Sequence, residues 1–349
     1  MALQLISWSN NIHKTDEVPI IPENKRVKKI LVVAYQRSGS TFTSEILQHG
    51  GNRTFFSMEP LWQIYRTCYR RSEGICCPNN KCRSPLHPYE EINITLSVFR
   101  SIYACNFNAL PFEVLKSFVA FPSTGHRYIT KCFHNTAIVH QNLSYSCNQK
   151  LARICESSSV IIIKTHRIDI KLAKVLKASL DNLHIIHLVR DPRAVLHTRA
   201  KVGALTKDPI DVQSKALCSI MYENIMEVAR KADIHTLLYE QLVKEPERIV
   251  KRLFKFTGLN FTLVTSEWLL RNTKPSRMED SKDKIPSEHF GKFSSHPKHS
   301  FEVSRSWRKR ILLKSNEIIQ DACEKVLNVL GLCVFNGEKE LRNLSIQVF

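Results

Sequence analysis

No stretch of the 349-residue sequence approaches the ~18 consecutive apolar residues that a bilayer-spanning helix needs, so no such helix is visible in it. The opening segment, MALQLISWSNNIHK, has neither a basic n-region nor a sustained apolar run and shows no targeting signal. Repeats and low-complexity tracts are also missing, which removes repeat arrays and compositionally biased tails. Acidic side chains are the minority: 32 Asp and Glu stand against 51 Lys and Arg, a net charge of +19. The partners to expect are therefore anionic, whether nucleic acid, a polyanionic glycan, a charged nucleotide or a membrane surface. Basic residues are scattered, densest at 26–29 (RVKK) and 308–310 (RKR), which fits a dispersed anion-binding face better than a compact nucleic-acid patch. A hydrophobic content of 43% supports a sizeable core, in one large α/β domain or two ordinary ones.

Cysteine is plentiful. Eleven occur, at Cys68, Cys76, Cys77, Cys82, Cys105, Cys132, Cys147, Cys155, Cys218, Cys323 and Cys333, concentrated between 68 and 155. Asn-X-Ser/Thr acceptors stand at Asn52, Asn93, Asn142, Asn260 and Asn343. Together they favour an oxidising secretory lumen, with buried reduced thiols as the alternative. Without a visible signal, a lumenal location requires an apolar segment encoded before Met1; otherwise the compartment is a different one. Cys76, Cys77 and Cys82 lack a matching second pair, so a disulfide is expected there rather than zinc, and no metal is called for.

Residues 1–24 read as an extended lead-in, and one ordered domain is expected over 25–349. KKILVVAY (28–35), VIIIK (160–164), HIIHLV (184–189) and IHTLLY (234–239) are continuous apolar, β-branched runs of strand length, as in a parallel sheet covered on both faces. Helical spacing follows the first strand from Ser40 to Gly50 and recurs over 168–180, 216–232, 246–257 and, with Ser315 as N-cap, 315–330. Strands alternating with helices predict a three-layer α/β fold on a parallel sheet. The rhythm breaks over 66–156, which reads as a disulfide-tied, partly helical insertion or lid.

Two strand-to-helix turns are candidates for anion binding. In RSGSTFT (37–43), unpaired amides and the helix dipole would point at a ligand, Gly39 admits close approach, hydroxyls of Ser38, Ser40 and Thr41 can donate, and Arg37 offers a planar permanent charge. The nucleotide-triphosphatase pattern G-x-x-x-x-G-K-[ST] is not met: its first glycine and its lysine are both missing, which disfavours an ATP-dependent kinase. In RDPRAVLHT (190–198), Asp191 can cap a helix opened by Pro192, with Arg190 at a strand's carboxyl end. In a parallel sheet both turns open on one edge, where ligands bind.

These two segments resemble the Golgi carbohydrate 6-O-sulfotransferases, the galactose, N-acetylglucosamine and N-acetylgalactosamine group that includes keratan and chondroitin enzymes. The resemblance continues through MEPLW (58–62), IKTHR (163–167), 237–259, WLLRNT (268–273) and SWRKRI (306–311), and so covers nearly all of 29–334. It implies a sulfotransferase-type fold and sulfuryl transfer from 3'-phosphoadenosine 5'-phosphosulfate (PAPS) to the 6-hydroxyl of a hexose or N-acetylhexosamine in a keratan, chondroitin or mucin-type glycan, within the Golgi lumen. Membrane association would come only through an anchor that these residues do not include, and nucleic acid is not an expected partner. By the same resemblance Arg37, Ser38, Gly39, Ser40, Thr41, Phe42 and Thr43 take the 5'-phosphosulfate, and Arg190, Asp191, Pro192, Arg193, Ala194 and Thr198 take the 3'-phosphate.

Glu59, expected at the end of the second strand, is the candidate base beside Arg37 as leaving-group stabiliser; its bland alternative is a helix N-terminal acid. His166 is the rival base. Lys164 and Arg167 are either sulfate or glycan contacts or solvated charges. Tyr239 and Glu240 are expected to tie strand to helix, with an adenine contact as the alternative for Tyr239, and Trp62, Trp268 and Trp307 to pack in the core rather than stack on sugar. The sequence departs from the family pattern at Leu238, Thr198 and Gln241, and 274–304 matches poorly, which leaves acceptor recognition least defined. The alternative from another class is a non-catalytic polyanion-binding protein, for glycosaminoglycan or RNA.

Overall fold

The structure is a computed structural model and describes residues 27–51, 53–70, 74–75, 82–85, 87, 89–121, 123–135, 141–230, 233–273 and 300–349. The expected lead-in, Asn52, Cys76, Cys77 and most of 274–304 lie outside these residues.

In chain order the elements are β1 (Lys28–Val33), α1 (Ser40–Gln48), β2 (Thr54–Met58), α2 (Trp62–Thr67), β3 (Tyr69–Arg70), β4 (Gly74–Ile75), α3 (Glu90–Tyr103), α4 (Phe112–Ala120), α5 (His126–Asn135) and α6 (Gln141–Glu156). There follow β5 (Val160–Thr165), α7 (Ile170–Ala178), β6 (Leu183–Val189), α8 (Pro192–Lys201), α9 (Ile210–Ala229), β7 (Ile234–Leu238), α10 (Tyr239–Lys244), α11 (Pro246–Thr257) and α12 (Leu263–Thr273). The chain closes with α13 (Ser300–Arg305), α14 (Leu313–Ala322), α15 (Glu324–Leu330) and α16 (Gly337–Arg342). Five strands form one parallel sheet in the order β2-β5-β1-β6-β7, and β3 with β4 makes a small antiparallel hairpin.

The apolar runs are strands because both faces of the sheet are covered. Leu31, Val33, Phe55, Ile161, Ile163 and Ile185 pack against α3, α4 and α7, while Ile30, Val32, Ile162, Ile186 and Leu188 pack against α1 and α11. The Cys-rich segment therefore supplies a layer: Phe99 and Ile102 of α3 and Val114 and Phe118 of α4 share a cluster with the sheet. It is tied by Cys105–Cys155 and Cys132–Cys147. A third cluster joins α8, α9, α14 and α15 beyond the β6 side, closed by Cys218–Cys323.

Two helix limits differ from expectation. The helix expected over 216–232 begins at Ile210, with Pro209 before it and the first-turn acid Asp211. The helix expected over 315–330 starts at Leu313, with Leu312 rather than Ser315 at the N-cap, and divides at Cys323, whose φ of −111° and ψ of 11° leave the helical range. Its apolar face runs unbroken through Ile319, Cys323, Val326 and Leu327, which is why spacing alone reads as one helix.

Every strand of the main sheet points the same way, so the turns after β1, β2, β5, β6 and β7 open on one edge. The chain leaves β1 towards β5 and β2 and later adds β6 and β7 on the other side. The reversal falls between β1 and β6, where open α/β sheets bind ligands.

Candidate active site

The turn after β1 is a cradle. Gly39 adopts φ +89°, and a Cβ there would stand 2.2 Å from Cε2 of Tyr239, so only glycine fits. The amides of Ser40, Thr41 and Phe42 precede the first intrahelical bond, from Thr43 N–H to the Gly39 carbonyl at 3.1 Å, and no side chain caps them. Ser38 turns inward, its amide donating to the Tyr35 carbonyl at 3.0 Å and its hydroxyl accepting from Tyr35 N–H at 3.3 Å. The Phe42 ring is buried against Trp268, which leaves its amide rather than its side chain for a ligand. Arg37 holds φ +73°, and its buried Nε has no hydrogen-bond partner.

The turn after β6 meets it directly. Arg190 Nη1 donates to the Arg37 carbonyl at 2.9 Å, and the guanidinium lies 5.0 Å from the Tyr239 ring centroid. Arg37 has its pKa lowered by burial first and then by Arg190, the mutual penalty of two neighbouring cations. Thr198 is partly exposed, its hydroxyl donating to the Ala194 carbonyl at 2.7 Å, which leaves the oxygen lone pairs and not the proton uncommitted.

The rest of this turn is turned inward, against the expectation that its side chains meet a phosphate. Arg193 is 0% exposed; it grips Asp191 through Nε and Nη2, gives Nη1 to Gln320 Oε1 at 2.7 Å and the Cys333 carbonyl at 2.8 Å, and lies between Trp307 and Phe335. Asp191 caps α8 by accepting from Arg193 N–H, and its own amide goes to Glu240 Oε1. Pro192 and Ala194 are buried as well. These four residues build the turn, which leaves Arg190 with an unpartnered Nε and Thr198 partly exposed.

Glu59 and His166 come together across β2 and β5, which are neighbours. Glu59 is 1% exposed and held by Lys164 Nζ at 2.9 Å and His166 Nδ1 at 2.6 Å, with Arg167 Nε at 3.9 Å. Burial pushes its carboxyl up, but Lys164 and then His166 outweigh this and hold it at about 2. The His166 ring is pushed down chiefly by burial, against the pull of Glu59, and is neutral at pH 7. Arg167 stacks over Tyr65 with its guanidinium 5.6 Å from the ring centroid.

Glu240 ties the end of β7 to the second turn through the Asp191 amide. Trp307 is buried, and Trp62 and Trp268 pack on the α1 and α11 side. One network was not read from the sequence. Asn224 donates to Tyr35 Oη at 2.8 Å, His187 Nε2 lies 2.9 Å from the same oxygen, and Asn224 Oδ1 accepts from Ile170 N–H at 2.9 Å. It anchors the residue that leads into the first turn. Its trace in the sequence is an asparagine on the apolar face of α9 and a histidine inside an apolar strand. Among the described residues no cluster of three or more His, Cys, Asp and Glu is arranged to hold a metal.

The sulfotransferase domain matches this chain over residues 27–331. The chain belongs to the sulfotransferase family. Its relatives include mouse carbohydrate sulfotransferase 4, 24% identical over 93% of this chain and 87% of that protein, and human carbohydrate sulfotransferase 6, 23% identical over 91% and 84%. Solved structures similar to this sulfotransferase include the sulfotransferase domain from the Synechococcus PCC 7002 olefin synthase, 18% identical with a TM-score of 0.41, covering 86% of this chain and 96% of that one. Mouse sulfotransferase SULT7A1 complexed with PAP is 12% identical with a TM-score of 0.41, covering 87% and 86%. The match to an enzyme family does not favour the non-catalytic polyanion-binding alternative. Among the described residues of this sulfotransferase no helix is long and apolar enough to cross a membrane.

Proposed function

We propose that this sulfotransferase moves a sulfuryl group from PAPS to the 6-hydroxyl of a hexose or N-acetylhexosamine in a keratan, chondroitin or mucin-type glycan. The observation that carries the reading is the 2.9 Å contact between Arg190 and the Arg37 carbonyl, which joins two anion-seeking turns on adjacent strands. The residues suit a nucleotide bearing phosphate at both ends: one turn offers uncapped amides, a backbone that tolerates no Cβ and an unpartnered arginine nitrogen, and the other offers Arg190 and Thr198. When bound, PAPS supplies the sulfuryl group and a phosphate leaving group.

Arg37 and the amides of Ser40 to Phe42 balance the negative charge that grows on the departing phosphate oxygen, and fixed donors do so with little reorganisation. Arg190 holds the 3'-phosphate, and Thr198 joins it by turning its hydroxyl proton from the Ala194 carbonyl to the phosphate oxygen. His166 replaces Glu59 as the base in this reading, because a carboxylate held near 2 and sealed from solvent is a weak proton acceptor. Nδ1 lies 2.6 Å from Glu59 Oε1 but off hydrogen-bond alignment, and a small ring rotation would set its hydrogen on the carboxylate and keep Nε2 for the acceptor hydroxyl's proton, the orientation logic of a base with a supporting carboxylate. Lys164 balances the charge of Glu59. The reading calls on no metal, since Arg37 and Arg190 supply its positive charge. The disulfides Cys105–Cys155, Cys132–Cys147 and Cys218–Cys323 and the carbohydrate sulfotransferase relatives support a Golgi-lumen location.

The test is transfer of labelled sulfate from PAPS to desulfated keratan, chondroitin and mucin-type acceptors, with PAP binding measured alongside. Arg37→Ala should lose about 10²–10³ in kcat together with nucleotide affinity. His166→Ala should lose about 10²–10⁴ in kcat while binding PAP as the wild type does. No transfer to any glycan, or unchanged PAP affinity in Arg37→Ala, overturns the reading.

A further inference from the structure

Glu240 places a carboxyl beside the arginine that the proposed function assigns to a phosphate. It lies in the first turn of α10 and is 4% exposed. Oε1 accepts from Asp191 N–H at 3.2 Å and stands 3.9 Å from Arg190 Nε. Glu240 Oε2 and Arg190 Nε are both buried, and neither has a hydrogen-bond partner. A carboxylate oxygen buried without a donor is costly, whereas a carboxylic acid there is less so. An arginine held at ion-pair range but not hydrogen-bonded is committed only in part.

We propose that Glu240 is a proton-linked positioning residue: ionised, it holds Arg190 to itself; protonated, it releases the guanidinium to the incoming 3'-phosphate, so that nucleotide binds with uptake of a proton. This deepens the reading of Arg190 as the 3'-phosphate arm and rests on it. The surroundings set the balance. Burial first, then Asp191, push the Glu240 carboxyl up to about 7, with Arg190 opposing. Asp191 is locked in place by Arg193, so this negative neighbour is a fixed one. From its own helix Glu240 meets Tyr239, and behind Arg190 stands Arg37. On the flanking elements Arg248 pairs with Glu245, Lys251 with Glu247, and Arg305 with the Leu344 carbonyl, while His197 of α8 has its pKa lowered by burial and, more weakly, by Lys201, Arg310 and Arg190. A phosphate arriving at Arg190 adds negative charge beside Glu240 and raises its proton affinity further, which makes affinity fall as pH rises through about 7.

The experiment titrates PAP into the full chain by calorimetry between pH of about 6.5 and about 8, in two buffers of different ionisation enthalpy, for wild type, Glu240→Gln and Glu240→Asp. In the wild type Kd should rise roughly three- to tenfold across that range, with net proton uptake on binding. Glu240→Gln should lose both effects, and Glu240→Asp, which keeps a carboxyl, should retain the uptake. The ligand's own phosphates, with a second pKa of about 6, release protons on meeting arginine, so their contribution has the opposite sign. A flat Kd or no uptake in the wild type, or unchanged uptake in Glu240→Gln, overturns the proposal. If the glutamine variant does not fold, His197→Gln decides: uptake that persists without His197 supports the proposal, and uptake that vanishes with it overturns the proposal. PAP binding without proton uptake removes this proposal only; failure of PAP to bind at any pH removes the functional reading and this one with it.

Discussion

Glu59 stays ionised with almost no exposed surface because Lys164 and His166 reach it at 2.9 and 2.6 Å, so its charge is part of the core. Glu59→Gln leaves Lys164 buried without its counter-charge and should destabilise the fold by about 3–5 kcal/mol in urea denaturation at pH 7. The pH dependence follows from the direction of the shift. Held at about 2 against an ordinary 4.5, Glu59 contributes stability that is fully present above about 4.5 and is lost as pH falls through 2. The stability curve of the variant should be flatter than that of the wild type across that window, and equal slopes would refute the assignment. Arg37 and Glu59 are also two of the four non-glycine residues with positive φ among those described, at +73° and +50°. Such backbone persists only where its surroundings enforce it, here by the Glu59 amide donating to the Lys164 carbonyl at 2.8 Å. No local pattern announces this, since the partner lies more than a hundred residues away.

At the scale of elements, termini were more legible where a side chain supplies the stop. Asp191 and Pro192 open α8 as their types suggest, and Gly258 closes α11 at φ +66°. Asp169 caps α7 by accepting from Leu172 N–H at 2.7 Å. Its replacement by alanine should cost about 1 kcal/mol, read as a lower urea midpoint with unchanged m-value. An unchanged midpoint would mean that packing of Ile170, Ala173 and Leu176 fixes the helix without the cap. The division at Cys323 was not legible, because a one-residue interruption preserves the apolar face. The Cys-rich segment was legible as disulfide-tied but not as a layer of the fold. Its apolar residues have no partner until the sheet exists, and α3 to α6 cover one of its faces only in three dimensions.

Over the whole molecule, the disulfide Cys218–Cys323 closes a span of 105 residues and ties α9 to the junction of α14 and α15. The same junction carries Gln320, which receives Arg193 from behind the second turn. Replacing both cysteines by serine should lower stability by about 2–5 kcal/mol, the range for removing a long-range cross-link, with a matching fall in Tm. An unaltered Tm would show that the third cluster holds these helices unaided. The positive surplus also needs the whole structure to be interpreted, since Arg193 and Arg308 are fully buried and Arg308 spends its donors on the carbonyls of Leu341, Ile346, Glu340 and Asn343. The sequence by itself determined the parallel strands, the two anion-seeking turns and their family, because strand length, apolar runs and turn chemistry are local properties of the chain. Only the tertiary structure decided which arginines are sealed in the core and which stay at the two turns, and that Glu59 is buried beside His166. Solvent exclusion and ion pairing depend on which strands become neighbours, and that is set by the whole sheet.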